Sequence, residues 1–295
     1  MATQIIDGKQ IAKDVRRKLK PRIAVLREKG IVPGLAVVLV GEDLASQTYV
    51  RSKGKACERL KLYSETIRKD GNITQEELIE IIKSLNTNDK IHGILVQSPV
   101  PSHIDELAVT LTIAPEKDVD GFHPYNVGMM LLGRGGLLPC TPNGILKLLE
   151  ESHIDPTGKE VVIVGRSNIV GKPVATLLMQ KAKIGNATVT VAHSRSKNLA
   201  EICKRADILI AAIGKPEFIK EDMLKDDVVI IDVGVNRIDD GSVEKGYRLV
   251  GDVDYKGCFE KASYITPVPG GVGPMTISML MENTVTAAEK ISGLS

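Results

Sequence analysis

The chain has 295 residues, 43% of them hydrophobic and 26% charged, a make-up that excludes a disordered or fibrous protein and leaves room for two globular domains. Its formal net charge is +2, with 39 lysines and arginines interleaved among 37 acids, too even a balance for a nucleic-acid or membrane partner. Four widely spaced cysteines and five histidines, with no C-x-x-C or H-E-x-x-H pattern, predict reduced thiols and no metal, and the lack of a signal peptide or apolar span predicts a cytoplasmic protein.

From the amino terminus, Ile11, Val15, Leu19, Ile23 and Leu26 recur at helical spacing, so a helix is expected over 8–28 with its basic run on the solvated face. A strand over 35–40, a helix over 43–60 and a strand over 63–67 follow. Thr74-x-x-Glu77 is a capping box that opens a helix to about Leu85, and His92 to Gln97 reads as a buried strand. Strands separated by helices predict a parallel, doubly wound sheet. After Pro99 and Pro101 come a short helix and an irregular segment, residues 115–124, of the kind that forms a functional rim.

Pro139-Cys-Thr-Pro142 sets a threonine N-cap before a proline at the first helical position, which predicts a helix over 142–151 bridging two domains. Strands near Val161, Thr188, 207–211, 228–232 and 264–265 then compose a Rossmann-like unit. The last of them enters a Gly/Pro-rich loop, residues 266–276, ahead of a long apolar helix expected to pack back on the first domain. The expected fold is therefore α/β with two domains and a cleft between them. An N-terminal α/β catalytic domain spans 1–139 together with the helix 274–295, and a Rossmann-like NADP-binding domain spans 140–273.

The cofactor signal lies in Val161-Val-Ile-Val-Gly-Arg-Ser-Asn-Ile-Val-Gly-Lys-Pro173: a buried strand, a tight turn and a helix start. Measured against G-x-G-x-x-G the frame is Gly165, Ser167, Val170, with Gly171 one place late, so only the first glycine is in register. The next strand ends not in the acid that binds the ribose hydroxyls of NAD but in Ser194-Arg195-Ser196-Lys197, which suits a 2′-phosphate. Arg166 and Arg195 are thus candidate phosphate ligands, since guanidinium forks match phosphate oxygens, and NADP is favoured over NAD. The alternative for both arginines is a solvated turn.

For chemistry, Tyr49 and Lys53 stand four apart on the second helix and share a face. Lysine serves as acid or base only when desolvation brings its pKa toward neutrality, whereas Arg51, Lys55 and Arg59 nearby fit a helix that faces solvent. Gln97, at a strand carboxyl end, can hold Lys53 or satisfy loop backbone. Asp118 and Asp120 can bind an NH-rich ring or cap their turn.

Taken together, Tyr49-x-x-x-Lys53, Val96-Gln97-Ser-Pro-Val-Pro101, Pro115-Glu-Lys-Asp-Val-Asp-Gly121, Pro139-Cys-Thr-Pro142, Gly165-Arg-Ser-x-Ile-Val-Gly-x-Pro173 and Pro267-Val-Pro-Gly-Gly-Val-Gly-Pro-Met-Thr276 resemble the bifunctional methylenetetrahydrofolate dehydrogenase/cyclohydrolases over nearly the whole chain. Ser98 departs from the leucine common there. The resemblance implies NADP-dependent oxidation of 5,10-methylenetetrahydrofolate to 5,10-methenyltetrahydrofolate and its hydrolysis to 10-formyltetrahydrofolate, by a homodimer with a small-molecule folate substrate. It implies that Lys53 is the acid/base residue, that Gln97 orients it, that Tyr49 stacks on the folate and that Asp120 hydrogen-bonds the pterin. Gly165, Arg166, Ser167, Ser194 and Val235 map onto cofactor contacts, and Gly273 and Thr276 onto a loop that closes near cofactor and substrate. The competing possibilities are a shikimate-type NADP dehydrogenase, which has no use for the 267–276 loop, and a non-catalytic NADP sensor.

Overall fold

The computed structural model describes residues 2–294 apart from Lys245 and the side chain of Ala45; the outermost expected domain bounds, Met1 and Ser295, lie outside the described residues. The elements of the first half are β1 (Gln4–Ile5), α1 (Gly8–Glu28), β2 (Gly34–Val40), α2 (Leu44–Leu60), β3 (Tyr63–Lys69), α3 (Gln75–Asn86), β4 (Gly93–Val96), α4 (Glu106–Thr112), α5 (Pro124–Leu131) and α6 (Cys140–Glu151). The second half holds β5 (Glu160–Val164), α7 (Gly171–Met179), β6 (Thr188–Ala192), α8 (Leu199–Lys204), β7 (Ile208–Ala211), β8 (Val228–Asp232), β9 (Asn236–Asp239), β10 (Tyr247–Val250), α9 (Tyr255–Cys258), β11 (Ala262–Ile265) and α10 (Val272–Ile291). They form two compact units, one of Lys13–Cys140 with the chain from Ile277 on, the other of the chain through Ala12 with Thr141–Thr276.

The first of these units is built on a parallel sheet of order β3-β2-β4. All seven residues of β2 are buried, as a continuous apolar run in the middle of a parallel sheet must be. The edge strand β3 is mostly exposed and correspondingly polar. Helix α2 starts because the Asp43 carboxylate accepts the Ser46 N–H at 2.7 Å, and it ends at Lys61 in the left-handed region. The capping box at Thr74 and Glu77 is complete, and it seats α3 so that Leu78, Ile82 and Leu85 pack on Ala36, Val38 and Ile94. Each such large side chain contributes about 1.5–3 kcal/mol through burial. From α10, Met281 meets Cys57, and Thr286 and Glu289 accept hydrogen bonds from Arg22 of α1.

The other unit has a six-stranded sheet of order β1-β11-β8-β7-β5-β6, parallel throughout. The chain leaves β5 to one side for β6 and returns to the other side for β7, so the strand order reverses beside β5. The carboxyl end of β5 is therefore the topological switch point, where open α/β sheets bind ligands. An antiparallel pair, β9 and β10, forms a separate small sheet.

Several features differ from the sequence expectation, among them the pair β9 and β10 and helix α5, for which it has no counterpart. Helix α6 begins at Cys140, so Thr141 lies inside it rather than capping it, and its hydroxyl pairs instead with Thr276 Oγ1 at 2.9 Å. Helix α10 begins at Val272, which puts Gly273 and Thr276 in its first turns and not in a loop; Pro274 sits where a helix has no N–H to satisfy, so it is no breaker there. Strand β1 is two exposed residues whose register, Gln4 opposite Tyr264, joins the amino terminus to the six-stranded sheet. So short a strand carries no periodicity to detect.

Candidate active site

On α2 the buried positions Val50, Lys53, Cys57 and Leu60 recur at helical spacing, so Lys53 occupies the apolar stripe that faces the core. It is 8% exposed, whereas Arg51, Lys55 and Arg59 are exposed. The solvent-facing alternative thus describes its neighbours and not Lys53. Its Nζ donates to Gln97 Oε1 at 2.8 Å. Gln97 follows β4 directly, its own N–H is held by Val38 O at 2.8 Å, and its Nε2 donates to Ser98 O at 2.7 Å. The glutamine therefore does both things the sequence left open: it satisfies loop backbone with one end and holds the amine with the other.

The segment before Gly121 runs beside β4, through a parallel bridge between Ile94 and Asp118 and a bond from Ile94 N to Lys117 O at 2.8 Å. That register carries Asp120 toward the carboxyl end of β4, where Gln97 lies. The two aspartates have different tasks. Asp118 is buried, and its carboxylate accepts from the N–H groups of Gly121 and His123 and from Asn126 Nδ2, so it caps the turn. Asp120 makes no hydrogen bond through its carboxylate to any described residue. Burial pushes its pKa up to about 6, with the Lys53 charge opposing and Asp118 assisting. Lys53 is lowered by burial, with Asp120 and then Cys140 opposing. Desolvation disfavours both charged forms and so draws the acid and the amine toward each other in proton affinity.

Two buried groups hold this corner together. Asn283 Nδ2 donates to Val119 O and Leu138 O, both at 2.8 Å, which fixes the residue preceding Asp120. Cys140 Sγ donates to Val119 O at 3.3 Å, and burial next to Asp120 raises its pKa well above the usual thiol value, so it stays protonated. Neither was singled out from the sequence. The available signal was an asparagine within the apolar final helix, where a buried amide must find partners. Tyr49, one turn before Lys53, is 49% exposed and presents a ring to solvent.

In the six-stranded unit, Val164 of β5 lies opposite Ala192 of β6 and Gly165 N donates to Ala192 O at 2.8 Å, so the turn Gly165–Ser167 and the segment His193–Lys197 leave the same sheet edge. Gly165 has φ +144°, and a Cβ there would lie 2.1 Å from Ala212 O; at Gly171 one would lie 2.2 Å from Gly165 O. The late glycine thus provides the close helix–strand approach that the third fingerprint glycine provides elsewhere. Ser167 Oγ accepts the Val170 N–H at 3.1 Å and so supports the start of α7. His193 and Ser196 spend their side chains on the turn, accepting the Arg195 and His193 N–H groups, and this leaves Ser194 and Arg195 facing outward.

Arg166 and Arg195 are both exposed at this edge, and neither guanidinium is paired with a described residue. Two unpaired guanidinium groups beside a helix N-terminus fit the phosphates of a dinucleotide. Val235 follows β8, two strands away from β5, and is 49% exposed. Gly273 is open where a side chain would stand, and Thr276 is engaged with Thr141.

Residues 6–120 match the model of the tetrahydrofolate dehydrogenase/cyclohydrolase catalytic domain, and residues 139–292 match the model of the NAD(P)-binding domain of the same family. The chain is 54% identical to the bifunctional protein FolD of Chlorobium chlorochromatii over 98% of its own length and 99% of that protein. Among solved structures it is similar to the bifunctional FolD methylenetetrahydrofolate dehydrogenase/cyclohydrolase of Campylobacter jejuni, with 48% identity, TM-score 0.92, and 98% and 100% of the two chains covered. It is also similar to the Trypanosoma brucei enzyme, complexed with NADP cofactor and inhibitor, with 40% identity, TM-score 0.93 and 99% of each chain covered.

Proposed function

Since the chain belongs to the tetrahydrofolate dehydrogenase/cyclohydrolase family and carries out NADP-dependent oxidation of 5,10-methylenetetrahydrofolate followed by hydrolysis of the methenyl product, we propose that Lys53 is the group that moves protons in the hydrolysis. The observation that carries this is the buried amine held 2.8 Å from Gln97 Oε1. The family match does not favour a shikimate-type dehydrogenase or a cofactor sensor.

In the oxidation, a hydride leaves the one-carbon bridge and the folate becomes a cation; NADP⁺ supplies the acceptor for that hydride. A permanently charged lysine would repel the methenyl cation, and burial, which lowers the Lys53 pKa, eases that conflict. Water then adds to the methenyl carbon while Lys53 takes one of its protons. As the C–N5 bond breaks, Lys53 returns that proton to N5, and the hydroxyl proton of the adduct leaves to solvent as the formyl carbonyl forms. One water is consumed and one proton released. Assistance of this kind is worth roughly 10²- to 10⁴-fold. Gln97 keeps the amine aimed, Asp120 accepts from the N–H groups of the pterin, and Tyr49 offers its ring as a stacking surface.

The folate chemistry is assigned to the unit of Lys13–Cys140 with the chain from Ile277 on, and the dinucleotide to the unit of Thr141–Thr276 with the chain through Ala12. The unpaired arginines 166 and 195 support the choice of phosphate edge, with Gly165, Ser167, Ser194, Val235, Gly273 and Thr276 as further contacts. A homodimer is supported by the exposed edge of β6, where Val191 is 39% exposed, and a cytoplasmic setting by four free, buried cysteines.

Following absorbance after mixing methylenetetrahydrofolate with NADP⁺ tests the whole scheme. NADPH should accumulate while methenyltetrahydrofolate rises and decays. NADPH with no decay of the methenyl species would remove the hydrolytic assignment, and no NADPH would remove the oxidation, the hydrolysis then being read from supplied methenyltetrahydrofolate.

A further inference from the structure

Two carboxylates behind the switch point take no part in the chemistry above. Asp232 ends β8, and its carboxylate accepts the N–H groups of Gly234 at 3.0 Å, Asp252 at 2.9 Å and Val253 at 2.9 Å. Asp252, in the turn between β10 and α9, is 0% exposed. Its Oδ2 accepts the N–H groups of Ile213 at 2.7 Å and Gly214 at 2.8 Å, and its Oδ1 accepts from Asn236 Nδ2 at 2.9 Å. A buried carboxylate is costly unless its lone pairs are filled, and these are filled by donors from two separate loops.

Those loops matter by position. Residues 212–214 leave β7, and residues 233–235 leave β8 and lead to Asn236 at the start of β9, both at the carboxyl edge of the sheet on the far side of the switch point from β6. The first loop also packs on the fingerprint turn, because Ala212 O closes on Gly165. A dinucleotide whose 2′-phosphate lies at Arg195 beside β6 crosses the switch point and places its other half over β7 and β8. One buried carboxylate thus ties together the fingerprint turn, the β7 loop and the loop that carries Val235.

We propose that Asp252 is a positioning residue for NADP: through the Ile213 and Gly214 N–H groups and Asn236 it sets the two loops that receive the nicotinamide half. The assignment rests on NADP lying across the β5–β7 edge. Removing it should loosen cofactor binding and leave hydrolysis at Lys53 intact, since the partners of its carboxylate, Ile213, Gly214 and Asn236, all belong to the unit of Thr141–Thr276.

The test is a split readout on two variants. In Asp252→Asn an NH₂ group faces N–H donors, and the NADP KM of the dehydrogenase should rise about tenfold or more. Asn236→Ala, a milder change that removes one donor of three, should raise it about three- to tenfold. Hydrolysis of supplied methenyltetrahydrofolate, which needs no NADP, serves as the control and should stay within about twofold in both. An unchanged NADP KM in Asn236→Ala, or equal loss of both activities, would overturn the role of Asp252. If Asp252→Asn does not fold, Asn236→Ala decides alone. If Arg195→Ala also leaves NADP and NAD affected alike, the placement of the cofactor falls and not merely the role of Asp252.

Discussion

Replacing Gln97 by glutamate keeps the shape of the side chain and puts a negative charge against the amine. At the 2.8 Å separation of Lys53 Nζ and Gln97 Oε1, and at an effective dielectric of ~20, a unit pair attracts by about 6 kcal/mol. Desolvating the new carboxylate offsets several kcal/mol of this. What remains raises the Lys53 pKa by about one to three pH units, the usual effect of an adjacent opposite charge. The sign follows: the ammonium cannot take a proton from water, so the rate of methenyltetrahydrofolate hydrolysis at neutral pH falls about tenfold per pH unit and recovers as pH rises. Gln97→Leu acts in the opposite sense. It removes an acceptor that favours the ammonium, moves the rising limb to lower pH, and costs rate at every pH through loss of aim. Stopped-flow hydrolysis across pH, corrected for the uncatalysed reaction, reads both. Two variants that slow hydrolysis without moving the limb in opposite directions would refute the coupling of Gln97 to Lys53.

Asp120 has a pKa pushed up to about 6, so its acceptor function should fade as pH falls through that value; the folate KM should rise below pH 6 in the wild type and show no such rise in Asp120→Asn. Tyr49→Ala should raise the folate KM about two- to tenfold, the equivalent of ~0.5–1.5 kcal/mol of stacking, and leave the NADP KM alone; an unchanged folate KM would rule out stacking. Arg195→Ala should raise the KM for NADP far more than for NAD, and equal effects would mean that the arginine does not meet the 2′-phosphate.

The architecture was largely legible because both units follow rules written into short stretches of chain. The apolar run of β2 announced a central parallel strand, and the pair Thr74 and Glu77 announced the start of α3. Helix α1 was legible to its end residues, since its buried positions Val15, Leu19, Ile23 and Leu26 are the periodic ones. Gly and Pro blur the start of α10: the run 266–276 reads as loop, yet the helix already begins at Val272, and its initial turn tolerates Pro274. Lys53 shows a subtler failure. Counting nearby cations favoured a solvated face, while the face itself, Val50, Lys53, Cys57 and Leu60, is apolar except for the lysine. The network of Asn283, Cys140 and Val119, and that of Asp232 and Asp252, bring together residues remote in sequence. No local pattern encodes such contacts, because each carboxylate or amide is matched to backbone N–H or C=O groups supplied by the fold.

The most direct test is the hydrolysis of methenyltetrahydrofolate by Lys53→Met, with NADP affinity and thermal melting measured on the same preparation. Methionine fills the volume of the buried stem without an amine. Hydrolysis should fall by roughly 10²- to 10⁴-fold while NADP binding and melting stay at wild-type values. Hydrolysis at the wild-type rate would show that the buried amine at Gln97 is not the group that moves the proton.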